Sequence, residues 1–475
     1  MKKTIALLLV LVMTLSLCAC AGSGETQETQ GAAAGAPEGL QIGYSKINIT
    51  PDFSVGMGGY SDSETRKSEG FVDYIYITCI AATSGEETIL MYTLDNCAAS
   101  KGVADKIRGA VTPATGIEGN KIFVGATHAH SCPSLSTADD ALSKYYQMVL
   151  NAAVESATKA LADRSEAKML AAMPTIEGMN FVRHYKMSDG TYAGSNFGSF
   201  ANNTPIEHAA ESDKRMAMVK FDYVDESKKD ILMINWQAHP DSASEIGYNT
   251  IAASWPGPLR DTLEQKSGCH VAYFTGPSGN QTKTSKIPEL NHGIGGWREY
   301  GVHMGELVAG LLDQLKPVEG TAIKTTGTMF EVQIDHSWDH MLAQANEVYE
   351  LWKSTGKSAG DALGKTYNFT SSYQARAIRT RASKGVSEKL EVNAFSIGGV
   401  GFTTGTYEMF STSSIYVKDN SPFEVTFLIT GNSGYIPSLE AFNYRCYEAD
   451  TGMYAAGEAE KLAENYVKML KEVKS

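Results

Sequence analysis

Residues 121–131 read Lys-Ile-Phe-Val-Gly-Ala-Thr-His-Ala-His-Ser. The apolar run from Lys121 to Gly125 predicts a strand, and the polar stretch holding His128 and His130 predicts a loop at its end. Three other runs have the same form. Ile231–Trp236 leads into Gln237-Ala238-His239-Pro240, the segment from Phe395 through Phe402 leads to Thr406-Tyr407-Glu408, and Phe427–Thr430 leads into Gly431 and on to Tyr435. Four strands ending in metal-capable side chains predict a rigid sheet whose end loops carry a site.

Outward from these four, further strand-like runs are Gln41–Ile49, Tyr74–Ala82, Thr88–Leu94, Met216–Tyr223, His270–Thr275, Thr325–Ile334 and Leu390–Ile397. Helix-like runs are Ala141–Ala162, Pro258–Gln265, Trp297–Leu315, Trp338–Ser354 and Gly457–Val473. The last is amphipathic through Leu462, Tyr466, Met469 and Leu470. No internal repeat breaks the pattern. The mixture predicts an α/β fold with mixed β-sheets covered by helices, in a single large domain over residues 40–475.

The chain has 475 residues and a formal net charge of -13. That balance argues against nucleic acid as a partner and against simple attraction to anionic lipid. Lys2, Lys3, the apolar run Ile5–Leu15 and Leu17-Cys18-Ala19-Cys20 form an export signal over residues 1–19. Its apolar part is too short for a permanent membrane span. A small residue before a cysteine marks Cys20 as the lipidated first residue of a bacterial lipoprotein, held on the outer face of the cell membrane. An ordinary signal peptide cut near Ala21 is the alternative. Residues 20–39 are rich in Gly, Ala, Ser, Thr, Glu and Gln and read as a flexible tether. Beyond the signal, Cys79, Cys97, Cys132, Cys269 and Cys446 form no C-x-x-C pattern. A disulfide framework and a thiolate zinc site are therefore not expected. Nothing in the sequence specifies an oligomer.

The chemistry starts from His128 and His130. Residues two apart in extended backbone point the same way, so both imidazoles address one cavity. One binds metal while the other handles protons. Two histidines that only cap a polar loop are the alternative, as is a hydrogen-bonded core role for His239. Two histidines and a carboxylate make a common catalytic zinc set that leaves a position for water, and His128, His239 and Glu408 can supply it. No H-E-x-x-H, G-x-S-x-G or Walker sequence occurs. His336 and His340 stand four apart but lack the helical Glu of a zinc helix, so they read as surface or capping residues. Asp95, just after the Thr88–Leu94 run, is placed to orient a histidine.

At this point the motifs resemble a known family. Gly43-Tyr-Ser-Lys-Ile-Asn-Ile-Thr50-Pro51, Gly58-Gly59-Tyr60, Thr127-His128-Ala129-His130-Ser131 and Asn180-Phe-Val-Arg183 are similar to stretches of the neutral, non-lysosomal ceramidases. So are Asn235-Trp-Gln-Ala-His239, Gly276-Pro-Ser-Gly-Asn280, Gly405-Thr-Tyr-Glu408, Tyr435 and Tyr447-Glu448, all in the family's order. The resemblance implies one zinc ion per chain, Zn2+ held by His128, His239, Glu408 and Tyr435. It implies that His130, Arg183 and Tyr447 surround the scissile amide of an N-acyl lipid such as ceramide, cleaved by metal-activated water. It also implies the family's catalytic domain without its C-terminal β-sandwich domain. Ser131-Cys132-Pro133 departs from the family's S-G-P, and Gly276–Asn280 matches its G-D-V-S-P-N only loosely, which leaves the place of Ser278 open. Two other readings stand beside it: a zinc hydrolase for a different amide or ester, and a surface lipoprotein that binds a ligand without turnover.

Overall fold

The computed structural model describes residues 39–60, 66–194, 203–291 and 293–475. The signal, Cys20 and all of the tether before residue 39 lie outside the described residues. Strands β1 (Leu40–Asn48), β2 (Tyr76–Ser84), β3 (Glu87–Leu94), β4 (Ile122–Ala126), β5 (Ser165–Ala172), β6 (Ala217–Tyr223), β7 (Ile231–Trp236) and β8 (His270–Thr275) form a large sheet. Its order is 8-7-6-5-1-2-3-4, with Lys316–Pro317 added against β5. The pairs β3/β4 and β7/β8 are parallel and the rest of this path is antiparallel. A second sheet follows the order β9 (Ile323–Gln333), β10 (Ser387–Ile397), β11 (Val400–Gly405), β12 (Val425–Thr430), its last pair parallel.

The two sheets pack face to face. Ile42, Ile80, Met91, Met169, Phe221, Met233 and Phe274 of the large sheet meet Phe395, Phe402 and Phe427 of the small one. Phe123, Phe395 and Phe402 stack in a column, with ring centroids 4.2 and 4.6 Å apart. Period-2 alternation sends the other half of each strand outward. Leu90, Tyr92 and Leu94 of β3 pack with Val103, Ile107 and Val111 of helix α1 (Lys101–Thr115) and Tyr145 and Val149 of α2 (Asp140–Asp163). Leu232, Ile234 and Trp236 of β7 pack under α3 (Pro256–Ser267) and α4 (Trp297–Ala309). Val392, Ala394 and Leu428 of the small sheet lie under Leu462, Tyr466 and Leu470 of α5 (Glu458–Lys474). Strands buried on both faces explain why these runs read as continuous apolar sequence. The expected α/β architecture, helix-covered mixed sheets in one domain, is present.

Several expectations need correction. The run Trp297–Leu315 is helical only to Ala309, where Gly310 ends it and a 3-10 turn, Leu312–Gln314, follows. The run from Trp338 starts with a 3-10 turn and becomes α-helical at Leu342. Helix α1 went unseen because Gly102, Gly109 and Pro113 blur its periodicity. Ser100 caps its start by accepting from Val103 N at 3.3 Å, and Gly116, with φ 74°, ends it. Strand β5 was also missed, because its Ala and Lys content does not read as β.

Candidate metal centre

His128 follows β4 and His239 follows β7, on opposite halves of the large sheet. They meet because the sheet curls until its edges approach. Thr93 Oγ1 of β3 donates to Tyr273 O of β8, and Thr275 Oγ1 donates to Thr127 O, both at 2.7 Å. The end of β12 is pinned at the same seam: Thr430 Oγ1 donates to Thr275 O at 3.1 Å and Asn432 Nδ2 to Ala126 O at 3.3 Å. Glu408 and Tyr435 then pair directly in a short parallel ladder, Glu408–Met409 against Tyr435–Ile436. Gly279 N donates to Met409 O at 3.0 Å, and a Cβ at Gly279 would stand 2.9 Å from Glu408 O, so only glycine fits beneath this ladder.

Three imidazoles and a carboxylate converge. His128 Nε2 lies 2.9 Å from His239 Nε2 and 3.3 Å from His130 Nε2, and His239 Nε2 lies 3.0 Å from His130 Nε2. Glu408 Oε2 is 3.3 Å from His128 Nε2 and 4.0 Å from His239 Nδ1. It is buried and accepts no hydrogen bond. Each ring nitrogen carries at most one proton, so a triangle of them beside an unpaired carboxylate oxygen is poorly satisfied by protons alone. A cation satisfies it: zinc with Zn–N near 2.0–2.1 Å in a tetrahedron sets ligand atoms about 3.3 Å apart. His128, His239 and Glu408 therefore fit a metal ion. Among the described residues, Cys97/His128/His130 and His184/Cys446/Glu448 are two further metal-capable groups.

The histidines differ on their outer side. His128 Nδ1 faces Cys97 O at 2.5 Å and His239 Nδ1 faces Ser278 O at 3.2 Å. A carbonyl on Nδ1 favours a proton there and turns Nε2 toward the centre, the orientation of a metal-binding imidazole. His130 Nδ1 is buried with no hydrogen bond. The convergence of His128 and His130 does not arise from extended backbone as expected. His128 has φ 63°, in the left-handed region, and the two rings stand at 81° with centroids 4.7 Å apart. Burial and the charge of His128 hold His239 well below the usual imidazole pKa. Burial also opposes charge on His128, but Glu408 and Cys97 outweigh it and raise its pKa well above the usual value. A neutral His239 beside a carboxylate without a donor is a site that attracts a cation.

Arg183 and Tyr435 form the adjoining wall. Arg183 Nη2 donates to Tyr435 Oη at 3.2 Å and to Gly279 O at 2.8 Å, and Arg183 Nε donates to Glu448 Oε1 at 2.8 Å. The second Glu448 oxygen lies 2.8 Å from His184 Nε2. Burial and the Glu408 charge push the Tyr435 phenol well above its usual pKa. Tyr447 packs edge-on against Tyr435, with centroids 6.0 Å apart. It lines a cavity of about 230 Å³ together with His184, Tyr192, Thr370 and Tyr444. No local pattern in the sequence marks His184 or its pairing with Glu448, 264 positions away. Asp95 does not orient a histidine. Its two oxygens take Arg260 Nη1 and Nη2 at 2.8 and 2.6 Å, and Tyr76 N donates to it as well, making it a structural ion pair. Ser278 serves His239 through its backbone carbonyl. His336 bonds Asp339 and Gly385 O near the surface, as its surface reading expected.

No family model and no curated protein matches the chain in sequence. Solved structures match it in fold. A crystal structure of neutral ceramidase from Pseudomonas aeruginosa superposes with a TM-score of 0.66 at 14% identity, covering 92% of this chain and 75% of that one. A ceramidase complexed with C2 superposes with a TM-score of 0.64, also at 14% identity, covering 92% of this chain and 76% of that one. The likeness covers 92% of this chain in both cases, so this chain has the neutral-ceramidase fold.

Proposed function

We propose that the chain is a zinc-dependent amidohydrolase that cleaves the N-acyl bond of ceramide or a related N-acyl lipid. One observation carries the reading: in a chain of this fold, His128, His239 and the buried Glu408, whose Oε2 accepts no hydrogen bond, each bring a ligand atom within 4.8 Å of the others. Tyr435, paired in register with Glu408, is proposed as the fourth ligand. Zinc bound there supplies Lewis acidity and brings the pKa of water toward about 7. The chain's own residues do the rest. His130 Nε2 faces the centre and takes a proton from the attacking water, then gives it to the leaving nitrogen as the C–N bond breaks. Arg183 holds the Tyr435 hydroxyl in place, and Tyr447 lends a hydroxyl toward the carbonyl oxygen as negative charge develops there.

A second reading is a shorter amide or ester cleaved by the same chemistry, motivated by the departure of Ser131-Cys132-Pro133 from the ceramidase motif. Protein lacking residues 1–19 should contain about one zinc per chain, and a chelator should abolish hydrolysis that added zinc restores. A panel running from ceramide to short soluble amides and esters separates the readings. Turnover confined to the soluble compounds would reject the lipid substrate, and activity surviving chelation would reject the zinc chemistry.

The Leu17–Cys20 signal supports export and anchoring of this domain to the outer face of the cell membrane. Fatty-acid labelling of the full chain should be lost in Cys20→Ser. Labelling that persists in that variant would count against lipidation at Cys20.

A further inference from the structure

We infer that Asp241 is a positioning residue for His130, holding that imidazole so that Nε2 presents the proton the leaving nitrogen receives. This rests on the amidohydrolase reading above. His130 is buried, with its Nε2 turned toward His128 and His239 and its Nδ1 turned the other way. That Nδ1 is a buried polar atom without a hydrogen bond, which a folded chain rarely leaves so. The carboxylate nearest to it is Asp241, with Oδ1 4.0 Å away.

The surroundings fit that pairing. His130 N reaches toward Pro240 O at 3.5 Å, so the backbone sets the residue before Asp241 against the histidine. Tyr60 donates its hydroxyl to Asp241 Oδ1 and packs edge-on to the His130 ring, with centroids 5.3 Å apart. Gly59, with φ 94°, admits this approach: a Cβ there would stand 3.0 Å from His130. The Asp241 side chain is 41% exposed, and the inference requires a small rotation about its contact with Tyr60 to close 4.0 Å to a hydrogen bond. Cys97 is another polar neighbour of His130, but its sulfur is shared with His128, whose Nδ1 lies 3.9 Å from it. With Nδ1–H bonded to Asp241, Nε2 is the nitrogen that exchanges protons with the reacting groups, the division of labour of a His–Asp pair. The step balances. Water oxygen bonds the carbonyl carbon and one water proton goes to Nε2. The C–N electron pair leaves on nitrogen, which takes that proton, giving a carboxylic acid and an amine.

The test uses leaving groups. Zinc-loaded wild type, Asp241→Asn, Asp241→Glu and Tyr60→Phe are compared on an N-alkyl amide and on a nitrophenyl ester of the same acyl chain. An alkylamine needs a proton to leave and nitrophenolate does not, so the Asp241→Asn loss on the amide should exceed its loss on the ester by on the order of 10²-fold. Tyr60→Phe should show a smaller loss of the same kind, Asp241→Glu should recover part of the amide rate, and zinc content should stay at the wild-type value. Proton NMR should show a downfield imidazole N–H signal in wild type that is missing in Asp241→Asn. Equal losses on amide and ester, or an unchanged downfield signal in Asp241→Asn, overturn the inference while leaving the amidohydrolase reading intact. Zinc-loaded wild type that cleaves neither substrate overturns that reading and the inference with it.

Discussion

Glu408→Gln is expected to remove stoichiometric zinc and to lower kcat by on the order of 10³-fold or more. The reason is local charge. Glu408 Oε2 is buried without a donor, 3.3 Å from His128 Nε2, and a carboxylate oxygen there draws a cation to that point. Glutamine keeps the shape but is neutral, and it can turn an N–H group toward the imidazoles, where a lone pair is needed. The ladder with Tyr435 uses backbone groups and survives the change, so the fold should hold. Zinc measured by atomic absorption and kcat on the best substrate of the panel check both parts. A variant that keeps one zinc per chain and full activity would remove Glu408 from the site.

The second large effect is on stability. Glu448→Gln is expected to destabilise the protein by about 3–5 kcal/mol at pH 7, because it leaves Arg183 buried without its counter-charge. Glu448 ion-pairs with Arg183 and sets its other oxygen 2.8 Å from His184 Nε2, within the protein interior. Burial opposes its charge, yet His184 and Arg183 outweigh burial and hold its carboxyl far below the usual range. A depressed carboxylate pKa contributes stability that is present above the unfolded value, about 4.3, and is lost as pH falls through the folded value. The gap between wild type and variant should therefore be full at pH 7 and shrink below about pH 4. Denaturant unfolding at several pH values measures it. The change should also loosen Tyr435, which Arg183 holds, and so weaken zinc retention. A variant within about 1 kcal/mol of wild type would show that the cluster does not support this wall.

Much of the site was legible because its candidate ligands follow strands with strong apolar signatures. The ends of β4, β7 and β12 were readable from β-branched and aromatic runs, and the residues just beyond them were polar and few. Its outer layer was not legible. Backbone carbonyls of Cys97 and Ser278 orient the two histidines, and a carbonyl has no residue type to read. Glu448 with His184, and Asp241 with Tyr60, are pairs separated by 264 and 181 positions, beyond any local pattern. Asp95 misled for the same reason: its place after a strand suggested a histidine partner, while the fold delivers Arg260.

By itself, the sequence determined the secondary elements with strong periodicity, the α/β class, and the chemical identity of the residues after four strands. These are local properties, set by side-chain spacing and residue type. Only the tertiary structure decided that the four ends meet. That follows from the curl of the large sheet, which brings β8 against β3 and β4 across side-chain hydrogen bonds, and from the small sheet packed over the seam. It also decided which histidine differs from the other two. His128 and His239 have carbonyls on Nδ1 and His130 has none, a distinction made by where the backbone passes and by no letter of the sequence.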